Sequence, residues 1–155
     1  MDEPTILDRA FHVIMKRMVE TGQAPFYTEL ASSLGLTVEE GRKTLHDLFS
    51  SGIAGWLYPR TDHIVSFAPF NNLPTHYRIT IDGRKQWFGQ CGFESLAVCW
   101  LFPGKTVTVD FPCLDCGEPL QVVLRDGRIM NEEASGYMAY VAVPFWKWFE
   151  DIGYA

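Results

Sequence analysis

Residues 77–120 read YRITIDGRKQWFGQCGFESLAVCWLFPGKTVTVDFPCLDCGEPL, and their punctuation decides the fold. Two β-prone runs, Tyr77–Ile81 and Lys85–Phe88, flank Asp82-Gly83, a pair that tolerates the positive φ angles of a tight hairpin turn. From Cys91 to Phe102 neither Gly nor Pro occurs after Gly92, which predicts a buried helix ended by Pro103-Gly104. Thr106–Phe111, TVTVDF, alternates as a strand. A Cys113-Leu114-Asp115-Cys116-Gly117 turn leads to a further strand at Gln121–Leu124, and Asp126-Gly127 marks another turn. Beyond it the apolar run predicts a strand near Tyr137–Val143 and a short aromatic helix over Phe145–Ile152. The C-terminal part, residues 74–155, is therefore a small mixed β-sheet packed on one central helix.

Working back from Pro74, the first 73 residues are helical. Ile6, Leu7, Ala10, Phe11, Val13, Ile14 and Met18 form an amphipathic stripe over 5–20, stopped by Thr21-Gly22. A shorter helix is expected around Tyr27–Leu34, ended by Gly35. Thr37-Val38-Glu39-Glu40 is a capping box that opens a third helix running to about Phe49, with Gly52 behind it. Two β-rich runs follow, Ile53–Tyr58 and His63–Phe67. Three helices and a hairpin in this order read as a winged helix-turn-helix lobe. The whole chain is thus α+β, with a lobe over 1–73 and a core over 74–155.

Composition bounds the function. The chain has 155 residues, 47% of them hydrophobic and 14% aromatic, enough for a packed core and unlike a disordered segment. No apolar run reaches the roughly 18 residues of a membrane helix. The acidic start MDEPTILDRA does not read as a signal peptide, so a cytoplasmic protein with reduced thiols is expected. A net charge of −6 gives no support for a polyanionic partner. The helical lobe repeats that message: residues 1–60 carry Lys or Arg at 9, 16, 17, 42, 43 and 60 against Asp or Glu at 2, 3, 8, 20, 29, 39, 40 and 47. Its third helix, the one that would enter a DNA groove, begins Glu39-Glu40, and Arg42 and Lys43 are too few to offset them.

All four cysteines, Cys91, Cys99, Cys113 and Cys116, fall inside the quoted stretch. Thiolate is the softest ligand a protein offers, so the cluster points to thiophilic-metal or redox chemistry. Cys91 and Glu94, three positions apart, share one helix face, the arrangement that sets an acid beside a nucleophile. Cys113-x-x-Cys116-Gly117 is half of a zinc knuckle. A complete zinc site would also need Cys91 and Cys99. Their spacing of eight separates them by about 80° around a helix and about 12 Å along it, so four thiols are not expected to close on one ion. Cys99, in an apolar run, reads equally as a small core hydrophobe. Redox use of the Cys-x-x-Cys lacks the surrounding βαβ pattern. His12, His46, His63 and His76 are dispersed, without ligand spacing.

The order of parts resembles the organomercurial (alkylmercury) lyase family. A helical lobe comes first, a hairpin enters a central helix as Cys-x-x-acid, and a strand ends in Cys-x-x-x-Gly-x-Pro. The resemblance is best from about Tyr77 to Val123. It implies that Cys91 and Glu94 occupy the positions of a catalytic cysteine and aspartate, and that Cys113 matches a cysteine usually buried and structural. Cys116 is an addition to the pattern. The family's second catalytic cysteine lies on a strand before the final aromatic segment, here Tyr137–Trp146, which contains none.

These readings converge on an alkylmercury-lyase-like protein with an incomplete catalytic set. Cys91 and Glu94 are the catalytic candidates, and Cys91, Cys113 and Cys116 the metal-ligand candidates. No cofactor is required; the ligand is an organomercurial, mercury(II) or another thiophilic metal. Carbon–mercury protonolysis is expected to be slow or absent. Two alternatives remain open at this stage, a non-enzymatic heavy-metal-binding or sensing module and a winged-helix regulator.

Overall fold

The computed structural model describes residues 3–141, 143–148 and 150. Two compact units divide the chain: Met1–Phe67 with Val143–Ala155, and Ala68–Ala142.

In the first unit, helices α1 (Ile6–Thr21), α2 (Tyr27–Leu34) and α3 (Val38–Ser50) precede the antiparallel pair β1 (Gly55–Leu57) and β2 (Ile64–Phe67). Their starts are set by capping boxes. Thr5 and Asp8 bond reciprocally at α1, and Thr37 and Glu40 do so at α3, satisfying amides that have no partner inside the helix. Ala10, Ile14 and Met18 of α1 meet Leu30, Leu34, Leu45, Leu48 and Phe67 in the core. Ile6 and Phe11, expected on the buried stripe, are partly exposed, although the Phe11 ring lies 4.8 Å from that of Phe67. Helices α2 and α3 touch at Gly41, where any Cβ would collide with Ala31.

The second unit is an antiparallel sheet in the order β3-β5-β4-β6-β7-β8. Its strands are β3 (Phe70–Asn71), β4 (Arg78–Ile81), β5 (Arg84–Gly89), β6 (Val107–Pro112), β7 (Pro119–Arg125) and β8 (Arg128–Ile129). Both Asp-Gly pairs turn as the sequence predicts, with positive φ at Asp82, Gly83, Asp126 and Gly127. Each aspartate also reaches back: Asp82 accepts from the Thr106 amide at 3.0 Å and Asp126 from the Gly104 amide at 2.7 Å. The two turns thereby fix where β6 begins. Ile79, Ile81, Trp87, Val107, Val109, Val122 and Leu124 are buried together with Val98 and Cys99.

Three expectations are corrected. The helix over Cys91–Phe102 is shorter: α4 spans Gly92–Ala97 and tightens into a 3-10 turn at Val98–Leu101. Pro103-Gly104 follows at once, so the last turn is closed by shorter-range bonds, and Trp100 faces outward at 71% exposure. No strand forms among the described residues of 137–143. Met138 is 96% and Tyr140 87% exposed, and a β-prone run without a neighbouring ladder does not become a strand. A 3-10 turn at Glu132–Gly136 precedes that run, and another at Phe145–Lys147 takes the place of the start of the aromatic helix; the rest of that expected helix lies partly outside the described residues. No described helix is long and apolar enough to cross a membrane.

Candidate functional site

Cys91 is the N-cap of α4. Its backbone is extended, φ −144° and ψ 177°, and its sulfur accepts the Glu94 amide at 3.5 Å. The Cys91 carbonyl accepts twice from Ser95, from the amide at 3.0 Å and from Oγ at 2.6 Å. Ser95 is fully buried. It also leaves no room for a Cβ at Gly89, so the β5–α4 junction is packed backbone against side chain. Upstream, Gln90 donates to the Pro69 carbonyl at 2.9 Å, and Gly89 exchanges bonds with Tyr77 and the Thr75 hydroxyl. Cys91 therefore projects from a clamped turn rather than a loose loop.

Glu94 stands one turn along, and its carboxylate hydrogen-bonds the Cys91 thiol. Burial pushes the Glu94 carboxyl above the usual carboxylate range, an effect the thiol's hydrogen bond partly offsets. Burial likewise pushes the Cys91 thiol up, and the negative field of Glu94 adds to that. Tyr77 covers the pair from β4's approach. Its hydroxyl lies where a Gly92 Cβ would come within 3.2 Å, and its ring packs 5.7 Å from that of Phe111. The Tyr77 phenol is raised first by burial and then by Cys91. The site is thus a thiol beside a carboxyl, both inclined by burial to keep their protons, under an aromatic wall.

The second cysteine pair sits at the tip of the β6–β7 hairpin. The Cys113 amide donates to the Glu118 carbonyl at 2.7 Å and the Gly117 amide to the Cys113 carbonyl at 2.9 Å. Gly117 takes a left-handed φ of 76°, which closes the turn. The backbone at Cys116 and then at Asp115, with the Cys116 thiol, holds the Cys113 thiol below the pKa of a free cysteine. Cys113 is half-buried, Cys116 is exposed, and both are reduced.

The expected site residues thus occupy two pairs, Cys91 with Glu94 and Cys113 with Cys116. Cys99 is buried in the core. No group of three or more His, Cys, Asp or Glu side chains able to hold a metal occurs among the described residues. Tyr77 and Ser95 are the site residues that sequence reasoning missed. Tyr77 looked like an ordinary strand residue, and a serine inside a short helix carries no signal of burial. An open concavity of about 390 Å³ lies in the first unit, lined by Arg42, His46, Tyr58, Arg60 and Asp62 among others, and in it Arg42 and His46 both pair with Asp62.

The family model for alkylmercury lyase, MerB, matches residues 70–152, more than half the chain and the whole of the Cys91 site. The chain belongs to the alkylmercury lyase family. Alkylmercury lyases of Bacillus cereus and Clostridium butyricum are each 27% identical over 131 residues, covering 83% of this chain and 55% of theirs. That of Staphylococcus epidermidis is 24% identical over 145 residues, covering 92% of this chain and 62% of its own. The chain therefore spans little more than half the length of these alkylmercury lyases. A solved structure, the mercury-bound form of MerB2, superposes with a TM-score of 0.59 at 20% identity, covering 79% of this chain and 59% of that one. This likeness bears out the α+β fold.

Proposed function

We propose that this alkylmercury lyase family member captures organomercurials at Cys91 and that Glu94 carries the proton of the reaction. The hydrogen-bonded, half-buried Cys91–Glu94 pair is the observation that supports this reading. Attack of Cys91 on mercury forms a sulfur–mercury bond, and the thiol proton passes to Glu94 as an anionic ligand leaves the metal. Glu94, whose neutral form burial already favours, then gives that proton to carbon. The electron pair of the carbon–mercury bond becomes the new carbon–hydrogen bond, and mercury stays on sulfur. Proton transfer of this kind needs an acid within hydrogen-bond reach and a pKa displaced towards neutrality. No cofactor enters the scheme.

Mercury left on Cys91 needs a second soft donor. Cys113 and Cys116 are the candidates, since Cys99 is buried and no cysteine lies beyond position 116. Phe111, two residues before Cys113, packs on Tyr77, which in turn lies against Gly92, so the strand that leads to the hairpin tip borders the Cys91 turn. Because the second thiol is not held against the first, protonolysis is slow. Phenylmercury turnover tests the proposal: benzene release that requires both Cys91 and Glu94 supports it, and mercury binding without any benzene leaves only a binding module.

A further inference from the structure

We propose that the tip of the β6–β7 hairpin is a metal site in its own right, taking one thiophilic cation, above all mercury(II), between Cys113 and Cys116 without help from Cys91. Both thiols stand on one tight turn. The Gly117 amide donates to the Cys113 carbonyl at 2.9 Å, and Gly117 in the left-handed region folds the chain back. The backbone of the turn also lowers the Cys113 thiol pKa, which favours the thiolate that a metal binds. The base is rigid. Pro112 and Pro119 oppose each other at the end of a six-pair β6–β7 ladder, and the Cys113 amide and Glu118 carbonyl close the turn above them. Leu114 at 76% and Cys116 are exposed, so the tip is open to solvent.

The number of ligands selects the metal. Structural zinc takes four protein donors, and this turn offers two. No third His, Cys, Asp or Glu joins the pair among the described residues. Mercury(II) is satisfied by two thiolates in a line. Its binding replaces two sulfur–hydrogen bonds by two sulfur–mercury bonds and releases two protons to water, with no change of oxidation state. Two thiols on one short turn act at millimolar effective concentration on each other's metal, a chelate advantage of about 10²–10⁴ over either thiol alone.

The test uses the full chain carrying Cys91→Ser, titrated with mercuric chloride against excess glutathione, a monothiol. Bound mercury is read by native mass and by the sulfur-to-mercury charge-transfer absorption. One mercury should remain on each monomeric chain. Adding Cys116→Ser should weaken retention at least about 100-fold, as expected for a lost chelate. Adding Cys113→Ser instead should do the same, and circular dichroism on each variant checks that the hairpin has not unfolded. Zinc should be retained by none of them against a chelator. The site is refuted if the Cys91→Ser chain keeps no mercury, or if retention is indifferent to Cys116→Ser in the folded protein. Metal bound only by a dimer, four thiols to one ion, would equally overturn it in favour of a site shared between two copies.

Discussion

Cys91 keeps its proton where a free thiol would begin to lose it, because it is half-buried beside the Glu94 carboxylate. Both groups have folded pKa values above their ordinary ones, so the fold favours their protonated forms. For Glu94 that preference stabilises the protein below the ordinary carboxylate pKa and is lost as pH rises through the raised one. Glu94→Gln, neutral at every pH, should therefore melt higher than wild type at pH 8, by about 2–4 °C for each kcal/mol of relieved burial of charge. Thermal scans should show the gap closing as pH is lowered through the carboxylate range; a gap that widens instead would contradict the assignment. At this scale the sequence was partly legible. Cys91 and Glu94 stood out because a thiol and an acid three apart must share a helix face. Their coverage by Tyr77 did not, since that contact joins residues fifteen positions apart through the β4–β5 hairpin and leaves no local pattern.

The elements show the same contrast. Capping residues and Asp-Gly turns act locally, and the helices and hairpins they bound form where the sequence places them. The expected strand over 137–143 depended on a partner ladder, a distant condition that residue preferences cannot report. Close approach of two helices is another such condition. Gly41→Ala improves helix propensity, yet its Cβ has no space against Ala31, so the variant should lose about 1–3 kcal/mol in chemical denaturation. Charges on α3 are likewise spoken for. Arg42 and His46 both bond Asp62, at 3.1 and 2.7 Å, and Lys43 pairs with Asp47. Binding DNA would require breaking these pairs beside Glu39 and Glu40. We therefore expect no electrophoretic shift of mixed-sequence DNA at physiological salt. Tight retention that is relieved by Arg42→Ala together with Lys43→Ala would reverse that expectation and return the lobe to a regulatory role.

At the scale of the molecule, the chain spans about half the length of the family members it matches and carries no cysteine after position 116. The Cys91–Glu94 pair sits wholly within the second unit, inside the stretch matched by the family model. In the proposed reading, Cys91 and Glu94 carry capture and proton delivery, and the second thiolate comes from the β6–β7 tip of the same unit. Cys113→Ser combined with Cys116→Ser should slow any turnover at least about tenfold, because the departing metal–carbon bond then has no protein thiolate to replace it. Single-turnover assays with excess enzyme would show this directly.

The most direct test of the central claim measures benzene released from phenylmercury by wild type, Cys91→Ser and Glu94→Gln, with mercury retained on each chain measured in the same samples. The account predicts slow benzene release by wild type, and neither release nor tight retention at the α4 site in Cys91→Ser. It predicts that Glu94→Gln retains mercury nearly as wild type does but releases no benzene, because an amide keeps the volume and lacks the proton. Undiminished benzene release by Glu94→Gln would contradict it.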